Sequence, residues 1–299
     1  MKEQMLSPLV LASIGRLDLI ARTVVEGFLT GLHRSPFRGL SQQFAEHRQY
    51  LLGDEVRHLD WRLYARTDRL YVKKFEEETN APVRLLLDAS RSLDYRSGGI
   101  SKLDYARFLA AAIAYIAIRQ SDRVGLAWFD ATIRGRLPAR GAERHLQSIL
   151  ATLSSIRSEE GRSRVGEVLL SEAARWPRRG IAILISDLYD SPVDLAAATA
   201  RVHKVGQNII VIHLLDASEK TLSRNGTFEF RDLETGERLI ADTAKIRRTY
   251  QSSLSERCDF FKREFSRSGV EYAEFDTSEP LDRALALFLK VRHQALGAY

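Results

Sequence analysis

Apolar positions recur at two periods along this chain, and the alternation between the two outlines a fold. Between residues 6 and 32, Leu6, Val10, Ile14, Leu17, Ile20, Val24 and Phe28 return every three or four places. That spacing predicts one amphipathic helix. Ser35-Pro36 ends it, because the residue before a proline is pushed out of helical geometry. Residues 39–80 are dense in charge and aromatics and have poor periodicity, although Leu70, Val72 and Phe75 suggest an extended stretch. From Pro82 the character changes. Residues 83–87 form a short apolar run of the kind a strand buried on both faces requires. Runs at 123–129, 181–186, 208–214 and 270–275 predict further strands, and 132–137 predicts one joined to 123–129 by a short turn.

Helical spacing fills the intervals. A helix to about Gln120 opens at Ser101-Lys102-Leu103-Asp104, which has the form of a capping box. It is apolar almost all round, so it belongs inside, packed on a sheet. Further helices are predicted over 143–156, 166–176, 193–205, 243–268 and 281–293. Strands alternating with helices imply an α/β fold, a mostly parallel sheet covered on both faces. The alternation is interrupted after Asp216, where residues 227–230 and 238–240 flank Thr235-Gly236 as a hairpin would. The expected organisation is a helix and charged segment over 1–80, then an α/β domain over 81–299 with a hairpin insertion near 218–242.

Composition narrows the function classes. Of 299 residues 44% are apolar and 28% charged, which is a globular balance and not a disordered one. A single cysteine, Cys258, excludes a disulfide scaffold and fits a reducing compartment. No secretory leader is expected. The longest apolar run, 108–118 between Arg107 and Arg119, is too short to cross a bilayer. The expectation is a soluble, cytoplasmic protein. The net charge of +6 comes from dispersed residues and argues only weakly for nucleic acid.

The densest chemical signal is Asp88-Ala89-Ser90-Arg91-Ser92, just past the first core strand. Open α/β sheets bind ligands beyond the carboxyl ends of their strands. Asp187 ends the strand at 181–186, and Gly161-Arg162-Ser163, ahead of a helix, offers a third hydroxyl. Carboxylates and small neutral hydroxyls are the hard oxygen donors that Mg²⁺ takes, and Mn²⁺ or Ca²⁺ accept them too. The competing reading is structural, since Asp and Ser after a strand also form Asx turns and helix caps.

Asp88, Ser90, Ser92 and Asp187 resemble the metal-ion-dependent adhesion site of von Willebrand factor A domains. In that family two aspartates act largely through water, while two serines and a threonine supply hydroxyls; Ser163 stands at the threonine position. Upstream, His47-Arg48-Gln49-Tyr50, Gly53-Asp54-Glu55-Val56-Arg57-His58-Leu59-Asp60-Trp61, Ala65-Arg66-Thr67 and Lys73-Lys74-Phe75-Glu76-Glu77-Glu78 resemble the bacterial "domain of unknown function 58" family. The resemblance covers about residue 30 to the C-terminus. It implies a doubly wound, mostly parallel six-stranded sheet in the order 3-2-1-4-5-6, with one antiparallel edge strand. It also implies association with MoxR-type AAA+ ATPases in chaperone-like protein maturation. The charged upstream segment has two readings, a salt-bridged brace or a partner-docking surface.

The leading expectation is therefore a non-enzymatic adaptor whose metal takes an acidic residue from a protein partner, an ATPase or a client. A Mg²⁺-dependent phosphohydrolase with Asp88 as nucleophile is the alternative. The acid expected two places on is replaced by Ser90, however. Nucleic-acid binding is the weakest reading. No Walker A loop, nucleophile elbow or dinucleotide fingerprint occurs. His213, inside an apolar strand, and Cys258, beside Phe260 and Phe261, read as packed core groups.

Overall fold

A computed structural model describes residues 7–32, 47–49, 71–73, 82–158, 163–177, 179–222 and 224–297. Most of the charged upstream motif, with His58, Trp61 and Tyr64, lies outside the described residues, as do Gly161 and Arg162. The extended stretch near Val72 is strand β2 (Tyr71–Lys73), paired antiparallel with β1 (His47–Gln49).

The amphipathic stretch near the N-terminus is two helices and not one. Helix α1 (Pro8–Ile14) stops at Gly15, whose left-handed φ of 70° ends the turn, and α2 (Leu17–Leu32) follows. The apolar period gives no warning of the break. Leu11, Leu17, Ile20 and Val24 are buried on both sides of it, so the stripe continues while the backbone does not.

The core strands are β3 (Pro82–Asp88), β4 (Arg123–Phe129), β5 (Ile133–Arg140), β6 (Gly180–Ser186), β7 (Gln207–Leu215) and β10 (Glu271–Asp276). They form one sheet in the order β10-β7-β6-β3-β4-β5, parallel except for the edge strand β5. Counted in chain order from β5, this is 3-2-1-4-5-6, the order that the family resemblance implies. Side chains alternate across the pleat. Leu85, Leu87, Ile183 and Ile185 face a core built with α2, α3 (Lys102–Arg119), α4 (Glu143–Ser155) and α9 (Asp282–Gly297). Leu86, Ala182, Leu184 and Val211 face the opposite core, built with α5 (Val165–Ala173), α6 (Pro192–Lys204) and α8 (Thr243–Arg267). Edge strand β5 is half-exposed in alternation, and Trp128 lies so closely across Gly135 that a Cβ there would run into its ring.

The capping box is formed: the Ser101 hydroxyl accepts from the Asp104 N–H, and the Asp104 carboxylate accepts from the Ser101 N–H. Beyond β7 and the short α7 (Ala217–Thr221), β8 (Thr227–Arg231) and β9 (Arg238–Asp242) pair as a separate hairpin leading into α8. Among the described residues no helix is long and apolar enough to cross a membrane.

Ile183→Ala empties a fully buried site on the central strand and is expected to cost roughly 2–5 kcal/mol. Ser101→Ala removes only a cap, at about 1 kcal/mol. Urea unfolding of the two variants side by side checks the ranking.

Candidate metal centre

Parallel strands deliver their carboxyl ends to one edge, and here each of the five is followed or ended by an aspartate: Asp88, Asp130, Asp187, Asp216 and Asp276. Three of them are occupied with neighbours. Asp130 takes the Arg134 guanidinium at 2.5 Å and the Thr132 N–H at 3.0 Å. Asp216 accepts from the Ser97 N–H at 3.0 Å and the Ser218 N–H at 2.8 Å. Burial pushes its carboxyl up, but these donors outweigh burial and hold it below the usual range. Asp276 is met by the Ser278 N–H at 2.9 Å and the Lys220 ammonium at 3.4 Å. Asp88 and Asp187, at the ends of the two central strands, are the buried pair whose charges act on each other.

Asp88 is fully buried and receives only neutral donors. Its Oδ1 accepts from the Ser90 N–H at 2.9 Å, and its Oδ2 from the Ser186 hydroxyl at 2.6 Å and the Ser163 hydroxyl at 3.1 Å. The pairing of Leu87 with Ile185 puts the ends of β3 and β6 side by side, which is why Ser186 reaches Asp88. Burial, and then the charge of Asp187, push the Asp88 carboxyl well above the usual carboxylate range against these hydrogen bonds. The Asx-turn reading of Asp88 is therefore correct as far as it goes. The helix-cap reading of Ser90 is not: Ser90 opens a short 3₁₀ turn (Arg91–Asp94) without capping it, and its hydroxyl lies 3.1 Å from that of Ser92.

Asp187 is 1% exposed. Its Oδ2 accepts from the Lys102 ammonium at 2.8 Å, while its Oδ1 is buried without a hydrogen-bond partner. Lys102 is also fully buried and donates to Glu219 Oε1 at 2.9 Å. Burial alone would neutralise it, but Asp187 and Glu219 raise its pKa above the ordinary lysine value. The turn after Asp187 is held in a costly shape. Leu188 has a φ of 56°, its N–H donates to the Ser186 hydroxyl at 2.9 Å, and the Arg257 guanidinium binds the Leu188 and Asp190 carbonyls.

The structure thus joins Asp88 directly to Ser163, brings Ser90 against Ser92, and puts Asp187 within electrostatic reach of Asp88. Sequence reasoning missed Ser186, Lys102 and Glu219. Ser186 and Glu219 had legible signals: a hydroxyl at a strand end, and a second capping box, Asp216 to Glu219. Lys102 had none, because a lysine at a helix start is ordinarily a surface residue. The other two residues weighed from sequence are core groups. His213 donates to or accepts from the Tyr272 hydroxyl at 2.7 Å, and burial drops its pKa to about 3. Cys258 is buried, and burial raises its thiol to about 11, far from a reactive thiolate.

The donor chemistry fits a hard divalent cation. Two buried carboxylates, one of them with an orphaned oxygen, and three buried hydroxyls are the hard oxygen donors present. Among the described residues no three His, Cys, Asp or Glu side chains form a cage, so any cation here relies on hydroxyl oxygens.

Residues 46–258 match the family described as "Protein of unknown function DUF58". An uncharacterised protein of Mycobacterium bovis is 29% identical over 235 residues, covering 77% of this chain and 72% of its own length; one from Mycobacterium tuberculosis matches equally. Among solved structures, the conserved hypothetical protein BatB from Bacteroides thetaiotaomicron superposes with a TM-score of 0.51 at 16% identity. That match covers 72% of this chain and 98% of BatB, and it shows a common fold. The von Willebrand factor A domain of SpRpn10 gives a TM-score of 0.42 at 13% identity, over 70% of this chain and 95% of its own.

Lys102→Met strips the ammonium from two acids, one of them fully buried. The expected loss is roughly 3–5 kcal/mol, because the partners stay behind unpaired. Urea unfolding reads it, and a variant as stable as the wild type would show that Lys102 does not carry this pair.

Proposed function

The chain belongs to the DUF58 family, and on that premise we propose that it is a metal-dependent protein-interaction adaptor. Asp88, Ser90, Ser92, Ser163 and Asp187 would hold one divalent cation, Mg²⁺ or its substitutes Mn²⁺ and Ca²⁺. An acidic side chain of a protein partner would complete the site. The observation that supports this best is the Asp187 Oδ1 atom, buried beside a second carboxylate with no donor. Burying a carboxylate oxygen unpaired is costly, and a cation removes the cost.

When bound, the ion supplies a Lewis-acidic point for a carboxylate. The chain's own residues prepare that point. Ser186 and the Ser90 N–H fix the orientation of Asp88. The Ser90 and Ser92 hydroxyls add oxygen without charge. Lys102 takes up one oxygen of Asp187, which lowers the negative charge available to the ion. A cation with so few direct anions stays electrophilic toward an outside acid. Asp88 is fully buried and already engaged on both oxygens, which suits a supporting ligand better than a phosphohydrolase nucleophile. The partner expected from the family resemblance is a MoxR-type AAA+ ATPase, or a client protein that the pair matures or remodels.

Isothermal titration of Mg²⁺ and Mn²⁺ into metal-free protein tests the reading. Wild type is expected to bind at one site. Asp88→Asn, which keeps the shape of the side chain, is expected to lose binding while circular dichroism shows it folded. Equal binding by the two proteins, or none by the wild type, contradicts the proposal.

A further inference from the structure

Toward the amino end of the central strand, the fold buries a positive charge that it does not neutralise. Arg84 precedes Asp88 on β3, roughly 13 Å from it at a strand's rise of about 3.3 Å per residue. It is 7% exposed. Its Nη1 donates to Gln207 Oε1 at 3.1 Å, and the buried Gln207 in turn donates from Nε2 to the Pro177 carbonyl at 2.7 Å. The Pro177 carbonyl can only accept, so it fixes the amide with its oxygen toward Arg84. The guanidinium lies 5.1 Å from the centre of the Trp176 ring and against Gly180, where a Cβ would run into it.

A guanidinium has five N–H donors, and among the described residues the neutral Gln207 oxygen is the one acceptor Arg84 has. Burial, and then the charge of Arg123, lower its pKa to about 10, so it is still a cation at neutral pH. A buried cation without a counter-charge is costly.

That cation borders an opening. A cavity of about 400 Å³ is lined by Leu126, Leu137 and Trp176 together with Arg84, Arg123 and Arg175. Glu172 lies on the same wall, but Arg136 takes it at 2.7 Å. Arg123 and Arg175 are exposed and have no ion pair among the described residues, so the wall keeps an excess of positive charge. The volume is that of a small-molecule site. A guanidinium presents its donors as a planar fork that fits a carboxylate or a phosphate. An inorganic ion would leave the leucines and the tryptophan uncovered; an anion with an apolar body would cover them.

We propose that this cavity binds a small organic anion, a carboxylate or phosphate on an apolar body, whose oxygens meet Arg84 while Arg123 and Arg175 supply charge from the exposed side. The site stands apart from the metal centre and does not depend on it.

Phenylacetate, phenyl phosphate and benzyl alcohol, each titrated calorimetrically into the full chain, test the site in wild type, Arg84→Gln and Arg123→Gln. At least one of the two anions is expected to bind wild type at one site, and the tighter of them tells a carboxylate ligand from a phosphate. Uncharged benzyl alcohol is expected to bind on the order of tenfold more weakly. Arg84→Gln is expected to lose on the order of tenfold in anion affinity, the worth of one charge-assisted hydrogen bond. Arg123→Gln is expected to lose less than Arg84→Gln. A folded Arg84→Gln that binds the anion as tightly as wild type overturns the proposal. So does equal binding of benzyl alcohol, or binding of neither anion by wild type. If circular dichroism shows Arg84→Gln unfolded, Arg123→Gln decides: a weaker anion complex supports the site, and an unchanged one overturns it.

Discussion

Two buried aspartates set side by side by a parallel β-ladder are the constraint around which the rest of this molecule is arranged. Backbone pairing of β3 with β6 fixes Asp88 next to Ser186 and Asp187, and no side-chain choice can undo that. The other aspartates at the same edge are settled by arginine, lysine or backbone donors. Asp88 receives three neutral donors, and Asp187 receives the Lys102 ammonium on one oxygen while its other oxygen is buried without a donor. That orphaned oxygen is what the proposed cation would satisfy.

Neighbouring elements make sense as responses to that constraint. Helix α3 starts with a capped turn that buries Lys102 against Asp187 and Glu219. Asp216, at the end of β7, binds Ser97 and so ties down the loop that carries Ser90 and Ser92. Arg257, from α8, grips the carbonyls of the strained Leu188 turn and fixes where Asp187 points. Residues scattered from 88 to 257 thus converge on one edge of the sheet.

Much of this was legible in the sequence, and the reasons are physical. Strands buried on both faces read as apolar runs, so β3, β6 and β7 stood out, as did the alternation that gave a parallel sheet. A carboxylate directly after such a run has a predictable location, which placed Asp88 and Asp187. Ser163 came from the family resemblance and from its position ahead of a helix, and it reaches Asp88. The break at Gly15 was hidden because the apolar stripe crosses it in phase. Lys102 was hidden for another reason. Its type and local pattern belong to surfaces, and only tertiary packing brings it to the centre.

The most direct measurement is anomalous scattering from crystals of the full chain grown with Mn²⁺. A single peak at coordination distance from the Ser90, Ser92 and Ser163 hydroxyls, beside Asp88 and Asp187, is the predicted result. A well-ordered centre with no peak, or a peak held by other residues, would contradict the claim that this edge of the sheet is built to hold a metal.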